Sequence, residues 1–219
     1  EEACTVVYTS GSSGKPKGVL LSHTAQVVQA LEKVIQVGYC PRTRYLNAVP
    51  LFHVGGLSSA IAVTMAGGSH VLLPKFEPQL VLDAIKEEGI TTLVAVPAML
   101  AALTAHAPTT QTAPLPSIDT VLVGGQALPE ATLQASLALF PSALVIQTYA
   151  CSEACSSIAF LPLAAGPLHL NPPKPRAQRT KGFTPQGEEV EGNAVGKAAH
   201  HAQLQIADER GGEAGYNMV

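Results

Sequence analysis

The chain has 219 residues, 47% hydrophobic and 13% charged, which is apolar enough for a substantial core and of a length that suits one domain or a piece of one. Thirteen basic residues stand against sixteen acidic ones, so no global field argues for nucleic acid or an anionic membrane surface, and a small-molecule partner fits better. No apolar run reaches the roughly 18–20 residues that cross a bilayer, so a soluble, intracellular protein with no membrane span is expected.

The chain opens on "EEACTVVY", two acids before a strand-like run, with neither a basic leader nor a cleavage pattern. It is expected to begin inside a folded unit, with any targeting segment outside it. Apolar runs of strand length follow at Thr5–Thr9, Val19–Leu21, Tyr45–Val49, His70–Leu73, Thr92–Val96, Thr120–Val123 and Leu144–Tyr149. Between them, apolar residues recur at helical spacing: Val27, Val28, Leu31, Val34 and Ile35, then Leu80, Val81, Ala84 and Ile85, then Met99, Leu100 and Leu103. Gly38 and Gly89 follow two of these helices, while Pro97 and Pro129 stand where two others begin. The alternation predicts an α/β fold with a mostly parallel sheet flanked by helices.

Ala107–Ser117 has the composition of an exposed loop. A second break, residues 162–194, mixes Pro and Gly with a basic patch and then an acidic one, and is expected to be a mobile insertion. The chain thus divides into residues 1–161, the insertion 162–194, and residues 195–219, where "HAQLQIAD" alternates like one more strand. Cys4, Cys40, Cys151 and Cys155 lack CxxC spacing and are expected to be reduced, mostly buried thiols; the adjacent His200 and His201 would point to opposite faces of a strand and share no metal.

The run "YTSGSSGKPKG", Tyr8–Gly18, concentrates glycines, hydroxyls and cations. It fits neither the P-loop spacing nor the GxGxxG fingerprint. Its ingredients still suit an anion: Gly11 and Gly14 are free to take positive φ, Thr9, Ser10, Ser12 and Ser13 offer hydroxyls, and Lys15 and Lys17 are cationic. By composition alone it reads equally as a Ser/Gly hairpin tip.

"YTSGSSGKPKGV" resembles the signature loop of the adenylate-forming superfamily: acyl-CoA synthetases, peptide-synthetase adenylation domains and luciferases. Further motifs follow in the family's order. "VPLFHVGGL" resembles the segment placing a His, here His53, beside the acyl pocket. "VLVGGQALP" resembles the glycine-rich strand end, Gly124, Gly125 and Gln126, that lines the acyl and adenine pockets. "TYACSEACSS" resembles the Tyr-Gly-x-Thr-Glu motif, and "VGKAAHHAQLQI" the Gly-Lys-Pro segment.

The resemblance implies that Tyr149 stacks on adenine, Ser152 serves the α-phosphate, and Glu153 is a magnesium ligand, with His53, Ser152 and Glu153 as the catalytic set. Ala150, Ser152 and Ala198 depart from the family's usual Gly, Thr and Pro. It implies the partial N-terminal domain of an adenylate-forming enzyme: residues 1–161 its central α/β part, residues 195–219 the start of a β subdomain. ATP, Mg²⁺ and coenzyme A are the implied cofactors, and a small carboxylic acid the substrate. Most of Val49–Ser157 resembles the o-succinylbenzoate–CoA ligases of phylloquinone and menaquinone synthesis, which implies a plastid or peroxisome. Medium-chain acyl or coumarate-type ligases are the alternative. The family's ribose-binding aspartate and lysine-bearing C-terminal domain have no match in the sequence, so weak nucleotide binding with little turnover is expected; a remnant binding only nucleotide or a partner is the non-enzyme alternative. Nothing in the sequence sets the oligomeric state.

Overall fold

The computed structural model describes residues 2–10, 14–169, 179–183, 189–193 and 197–200. The expected strand at "HAQLQIAD" lies, from His201 onward, outside the described residues, as does His201 itself. The chain begins with an antiparallel pair, β1 (Ala3–Thr9) and β2 (Lys17–Ser22), and passes directly into α1 (His23–Val37). There follow β3 (Arg44–Asn47), α2 (Val54–Met65), β4 (Ser69–Leu72), α3 (Pro78–Glu88), β5 (Thr92–Ala95), α4 (Pro97–Thr109), β6 (Thr120–Val123), α5 (Glu130–Leu139) and β7 (Leu144–Cys151). The chain then turns back into β8 (Ser156–Ala165). Beyond it, β9 (Arg179–Phe183) and β10 (Glu189–Asn193) pair antiparallel, and β11 (Lys197–Ala198) adds to β8.

The main sheet has the order β11-β8-β7-β6-β5-β3-β4; every pair from β4 to β7 is parallel, and β8 and β11 are antiparallel additions. Successive strand residues bury into opposite layers, as the period of two requires. Leu46, Leu93, Val121 and Val145 meet α3, α4 and α5 through Val81, Ile85, Leu100, Leu103, Leu133 and Leu137. Tyr45, Val94, Leu122 and Ile146 meet α1 and α2 through Ala30, Val37, Ala62 and Val63. This is the α/β sheet flanked by helices that the alternation predicted. Burial on both faces explains why the strands read as unbroken apolar runs.

Gly38 and Gly89 close α1 and α3 in the left-handed conformation, and Pro97 opens α4. Five readings need correction. The helical spacing marked Val27, Val28, Leu31, Val34 and Ile35 as the core-packing face of α1, but all of them except Val34 are exposed, and the buried face of that helix carries Gln29, Ala30, Glu32, Lys33 and Val37 instead. α2 was not among the expected helices, because its "VGGLSSAIAVTM" is apolar almost all round and opens on two glycines. β8 was not among the expected strands, because Pro162 lies inside it; the ladder to β11 involves only Phe160 and Ala159, so Pro162 interrupts nothing on that side. α4 runs to Thr109 and takes in the first residues of the expected loop. Of the four cysteines, all free thiols, only Cys155 is buried; the others are half-exposed.

Candidate active site

The segments singled out in the sequence lie at three places along the C-terminal edge of the parallel strands and beside it. The first is the tip of the β1–β2 hairpin. Thr9 pairs with Lys17 and Tyr8 with Gly18, so Ser10–Pro16 form the connecting loop, with Gly14 at φ +78°. Gly11, Ser12 and Ser13 lie outside the described residues. Ser10, Lys15 and Lys17 are exposed and Thr9 half-buried, and the Lys15 ammonium has no partner among the described residues. The run is therefore a hairpin connection in topology, with Ser10, Lys15 and Lys17 exposed at its two ends.

The second place follows β3. His53 is the N-cap of α2: its backbone is extended, and its Nδ1 accepts the Gly55 N–H at 3.1 Å. Using Nδ1 as acceptor puts the proton of the neutral ring on Nε2, on an exposed side chain. Only glycine fits at position 56, where an added Cβ would fall on the Pro50 carbonyl and lie 2.7 Å from the Val49 carbonyl. That close approach fixes how the first turn of α2, and His53 with it, leaves the sheet.

The third place is where β6 and β7 end. Gly124 donates its N–H to the Ala95 carbonyl at 3.2 Å, and a Cβ there would stand 3.2 Å from Thr148 Cγ2, so the chain after β6 lies close against β7. Gly125 and Gln126 follow, both exposed. The β6–β7 ladder stops at Val123 and Gln147, beyond which β7 runs on, paired only with β8. Tyr149 lies on this overhang, 50% exposed, with no hydrogen-bond partner for its hydroxyl among the described residues. A bulge separates Tyr149 from Ala150.

Ser152 and Glu153 occupy the β7–β8 turn, which the Cys155 N–H closes onto the Ser152 carbonyl at 3.0 Å. Cys155 and Ser156 take φ of +62° and +138°. Two successive non-glycine residues in that region make the turn locally strained, a condition that surrounding contacts must hold in place. They do so through a small cluster in which Cys155 packs with Val7 of β1, Leu21 of β2 and Val54 of α2. One apolar contact set thus joins the loop-bearing hairpin, the helix capped by His53 and the turn bearing Ser152 and Glu153. Gly124–Gln126 are not part of it; they meet Tyr149's strand through Thr148.

The Glu153 carboxylate is exposed and has no partner among the described residues. No group of three or more His, Cys, Asp or Glu side chains gathers among the described residues either. A protein cage for a metal is therefore absent there, whereas Mg²⁺, which takes one or two carboxylates and completes its shell with phosphate oxygens and water, fits a lone Glu153. Two neighbouring residues escaped the sequence reading. Gln147, 6% exposed, accepts the Leu128 N–H on its Oε1 at 3.0 Å and so ties the Gly124–Leu128 segment to β7; Thr148 Oγ1 donates to the Ala159 carbonyl at 3.0 Å. No sequence signal marks either, because their partners, the Leu128 amide and the Ala159 carbonyl, are brought within reach only by the fold.

The AMP-binding enzyme family model matches residues 1–217. The chain is 36% identical over 208 residues to the chloroplastic/peroxisomal 2-succinylbenzoate–CoA ligase of Arabidopsis thaliana, covering 94% of this chain and 36% of that enzyme. Against the indoleacetate–CoA ligase of Aromatoleum aromaticum the identity is 33% over 207 residues, again 94% of this chain and 36% of that one. Among solved structures, the o-succinylbenzoate coenzyme A synthetase of Bacillus subtilis in complex with ATP and magnesium superposes with a TM-score of 0.63 at 31% identity, over 84% of this chain and 38% of that one. The chain spans just over a third of the length of these relatives. Among the described residues no helix is long and apolar enough to cross a membrane.

Proposed function

The chain belongs to the AMP-binding enzyme family, and from that membership we propose that it supplies the nucleotide-facing part of an acid–CoA ligase whose substrate is o-succinylbenzoate. In the proposed reaction a carboxylate oxygen attacks the α-phosphorus of ATP and pyrophosphate leaves; the thiol of coenzyme A then attacks the acyl carbon and AMP leaves. The observation that supports the reading is the single contact set of Val7, Leu21, Val54 and Cys155, which joins the hairpin that bears the cationic loop, the start of α2 next to His53, and the turn that follows Ser152 and Glu153.

In this reading, the residues divide the work by chemistry. Thr9, Ser10, Gly11, Ser12, Ser13 and Gly14 supply hydroxyl and amide donors to the phosphate chain, while Lys15 and Lys17 offset its charge. Tyr149 offers its exposed ring face to the purine, with Gly124, Gly125 and Gln126 along the purine's edge. Ser152 donates to the α-phosphate, and Glu153 holds Mg²⁺, which when bound neutralises charge on the phosphates. His53, its Nδ1 occupied by the Gly55 amide, presents Nε2–H toward the carboxylate of the acid.

The choice of acid is supported by the relatives, since 2-succinylbenzoate–CoA ligases of both Arabidopsis thaliana and Bacillus cytotoxicus match at 35–36% identity. The test is calorimetry of the chain with MgATP, followed by thermal shift in MgATP with o-succinylbenzoate, coumarate or a medium-chain fatty acid. Tyr149→Ala and Glu153→Gln are expected to weaken MgATP binding by about tenfold or more, roughly one lost stacking or charge-assisted contact each. A larger thermal shift with coumarate or the fatty acid would reject o-succinylbenzoate, and a chain indifferent to MgATP would reject the ligase reading itself. The chain alone is expected to bind nucleotide and turn over little, because it spans about a third of the relatives' length; robust ATP–pyrophosphate exchange by the 219 residues would overturn that.

A further inference from the structure

Lys33 is a buried cation that the proposed reaction leaves unused. It lies on α1 at 1% exposure, and its Nζ donates to Ser58 Oγ at 2.7 Å and Ser59 Oγ at 2.8 Å, both on α2. Ser58 passes its own hydroxyl hydrogen to the Val54 carbonyl in the first turn of that helix, at 2.6 Å. Lys33 has no ion pair with a carboxylate among the described residues. Its neighbour Glu32 accepts instead from Gln36 and from the backbone and ring of His200. Taking an ammonium out of water with neutral hydroxyls as its acceptors is costly, so the site needs a reason other than stability.

Its surroundings supply one. Ser58 and Cys155 line a common small cavity with Leu21, Gln26 and Val54. That cavity is the seam between α2, the hairpin and the strained Ser152–Cys155 turn. The amine is thus anchored on one wall of the seam across which the candidate site is assembled.

We propose that Lys33 is a positioning residue for the ligation proposed above: by gripping Ser58 and Ser59 from beneath, it sets the first turns of α2, capped by His53, against the turn carrying Ser152 and Glu153. The inference rests on that functional reading. It also has a pH signature. Burial pulls the Lys33 amine down to about 7, with Cys155 acting in the opposite direction. From the other elements around it, α2 offers only the serine hydroxyls, and Tyr39 and Tyr45, beside Ser59, are held neutral by burial. Burial, with Cys4 adding to it, pushes Cys155 up, so it stays a thiol. Glu32 is engaged with His200. Lys33 is the group in contact with the two serines that burial brings to neutrality, and its ammonium form, with three donors, grips both serines more firmly than the amine does; His53, at the cap of α2, and His200, on Glu32, are imidazoles common to the wild type and Lys33→Met.

The experiment is calorimetry of the 219-residue chain with MgATP at pH 6, 7 and 8, comparing the wild type with Lys33→Met and using thermal melts to verify folding. The wild type is expected to lose at least about fivefold in affinity from pH 6 to 8 beyond whatever Lys33→Met loses over the same interval, the lower end of ordinary coupling between sites. Lys33→Met is expected to melt no lower than the wild type. An identical pH profile in the two proteins would overturn the positioning role while leaving the ligase reading intact; absence of MgATP binding in the wild type at every pH removes that reading and this inference with it. If Lys33→Met fails to fold, Ser58→Ala takes its place. Deleting one acceptor is expected to move the midpoint of the pH profile downward, and an unmoved midpoint would equally overturn the proposal.

Discussion

Along β5 and β6, Leu93, Val94, Ala95, Val121, Leu122 and Val123 are all buried, whereas along β1 and β2 only Val7 and Leu21 are, with Val6, Tyr8 and Leu20 facing outward. The central strands of the sheet are held between two apolar layers. The hairpin carrying the cationic loop docks through Val7 and Leu21, with Val19 partly buried beside them, on Val54 and Cys155, and Gln26 of α1 donates from Nε2 to Cys4 Sγ and Thr5 Oγ1 of β1. A two-stranded ribbon is marginal by itself, so this docking decides whether the loop has a defined place. The difference separates fold from binding: damage to the layers should unfold the chain, and damage to the docking should loosen the loop while the sheet survives.

The largest expected effect lies in the sheet layers. Phe140, fully buried beside α5, is predicted to cost about 3–5 kcal/mol on replacement by Ala, seen as a lower urea midpoint with an unchanged slope. MgATP affinity of the fraction still folded should be unaltered. Leu21→Ala is the counterpart in the hairpin. It should cost about 2 kcal/mol, the lower end for a buried leucine, because the ribbon can move into the space left behind. Its binding loss should be out of proportion, about tenfold or more in MgATP affinity, since the loop loses its anchor. Equal losses of binding in the two variants would erase the distinction between the regions.

A smaller effect of opposite sign comes from the seam between them. The Lys33 amine has its pKa lowered from 10.5 to about 7 in the folded chain, so between those values the unfolded chain binds more protons. Stability should therefore rise with pH from about 7 toward 10.5, the penalty being complete below 7. Lys33→Met should flatten that rise and add about 1–2 kcal/mol at pH 7, in the lower part of the range seen when apolar groups replace buried charges. Burial holds Cys155, Tyr39 and Tyr45 protonated and so pulls stability the other way above about pH 9 in both proteins, which makes the difference between wild-type and Lys33→Met melting curves the measurement: it should shift in the wild type's favour from about pH 7 to 10, and a difference that stays constant would contradict the burial of the charge.

What the sequence made legible follows the same division. Strands buried on both faces, such as Thr92–Ala95, show as continuous apolar runs, and α3 shows as an amphipathic stripe ended by Gly89. The period of α1 and its end at Gly38 were legible too, but not its orientation: the apolar stripe of Val27, Leu31 and Ile35 is exposed, and the buried face carries Gln29, Glu32 and Lys33. α2 escaped because a helix wedged between a sheet and another helix has no clear polar stripe, and its glycines are there for close contacts, Gly56 with the Val49–Pro50 backbone and Gly55 with the His53 ring, rather than for a turn. β8 escaped because Pro162 argues against a strand unless one knows which side has a neighbour. Within the candidate site, the loop, His53, Tyr149 and Glu153 were legible through motif order, since their residue types are set by what they would touch. Lys33 and Gln147 were not: each acts on backbone or hydroxyl groups that only the fold brings within reach, and a lysine in an otherwise polar helix position reads as solvated.

The smallest effect lies at the junction of the two regions. Ser22 is at once the last residue of β2, paired with Ala3, and the N-cap of α1, its Oγ accepting the Ala25 N–H at 3.1 Å. Replacing it by Ala leaves an amide of the first turn without its acceptor, which should cost about 1 kcal/mol. Because the hairpin is carried into the sheet layers by α1, the same change should relax the angle at which β2 enters the helix, and MgATP affinity should fall by about twofold, far less than with Leu21→Ala. Ser22→Asn restores a capping oxygen without restoring the serine's size. Recovery of both stability and binding in that variant would assign the effect to the cap. Recovery of stability alone would mean that the hairpin is oriented by its docking on Val54 and Cys155 and by the Gln26 contacts to Cys4 and Thr5, and takes nothing from the cap.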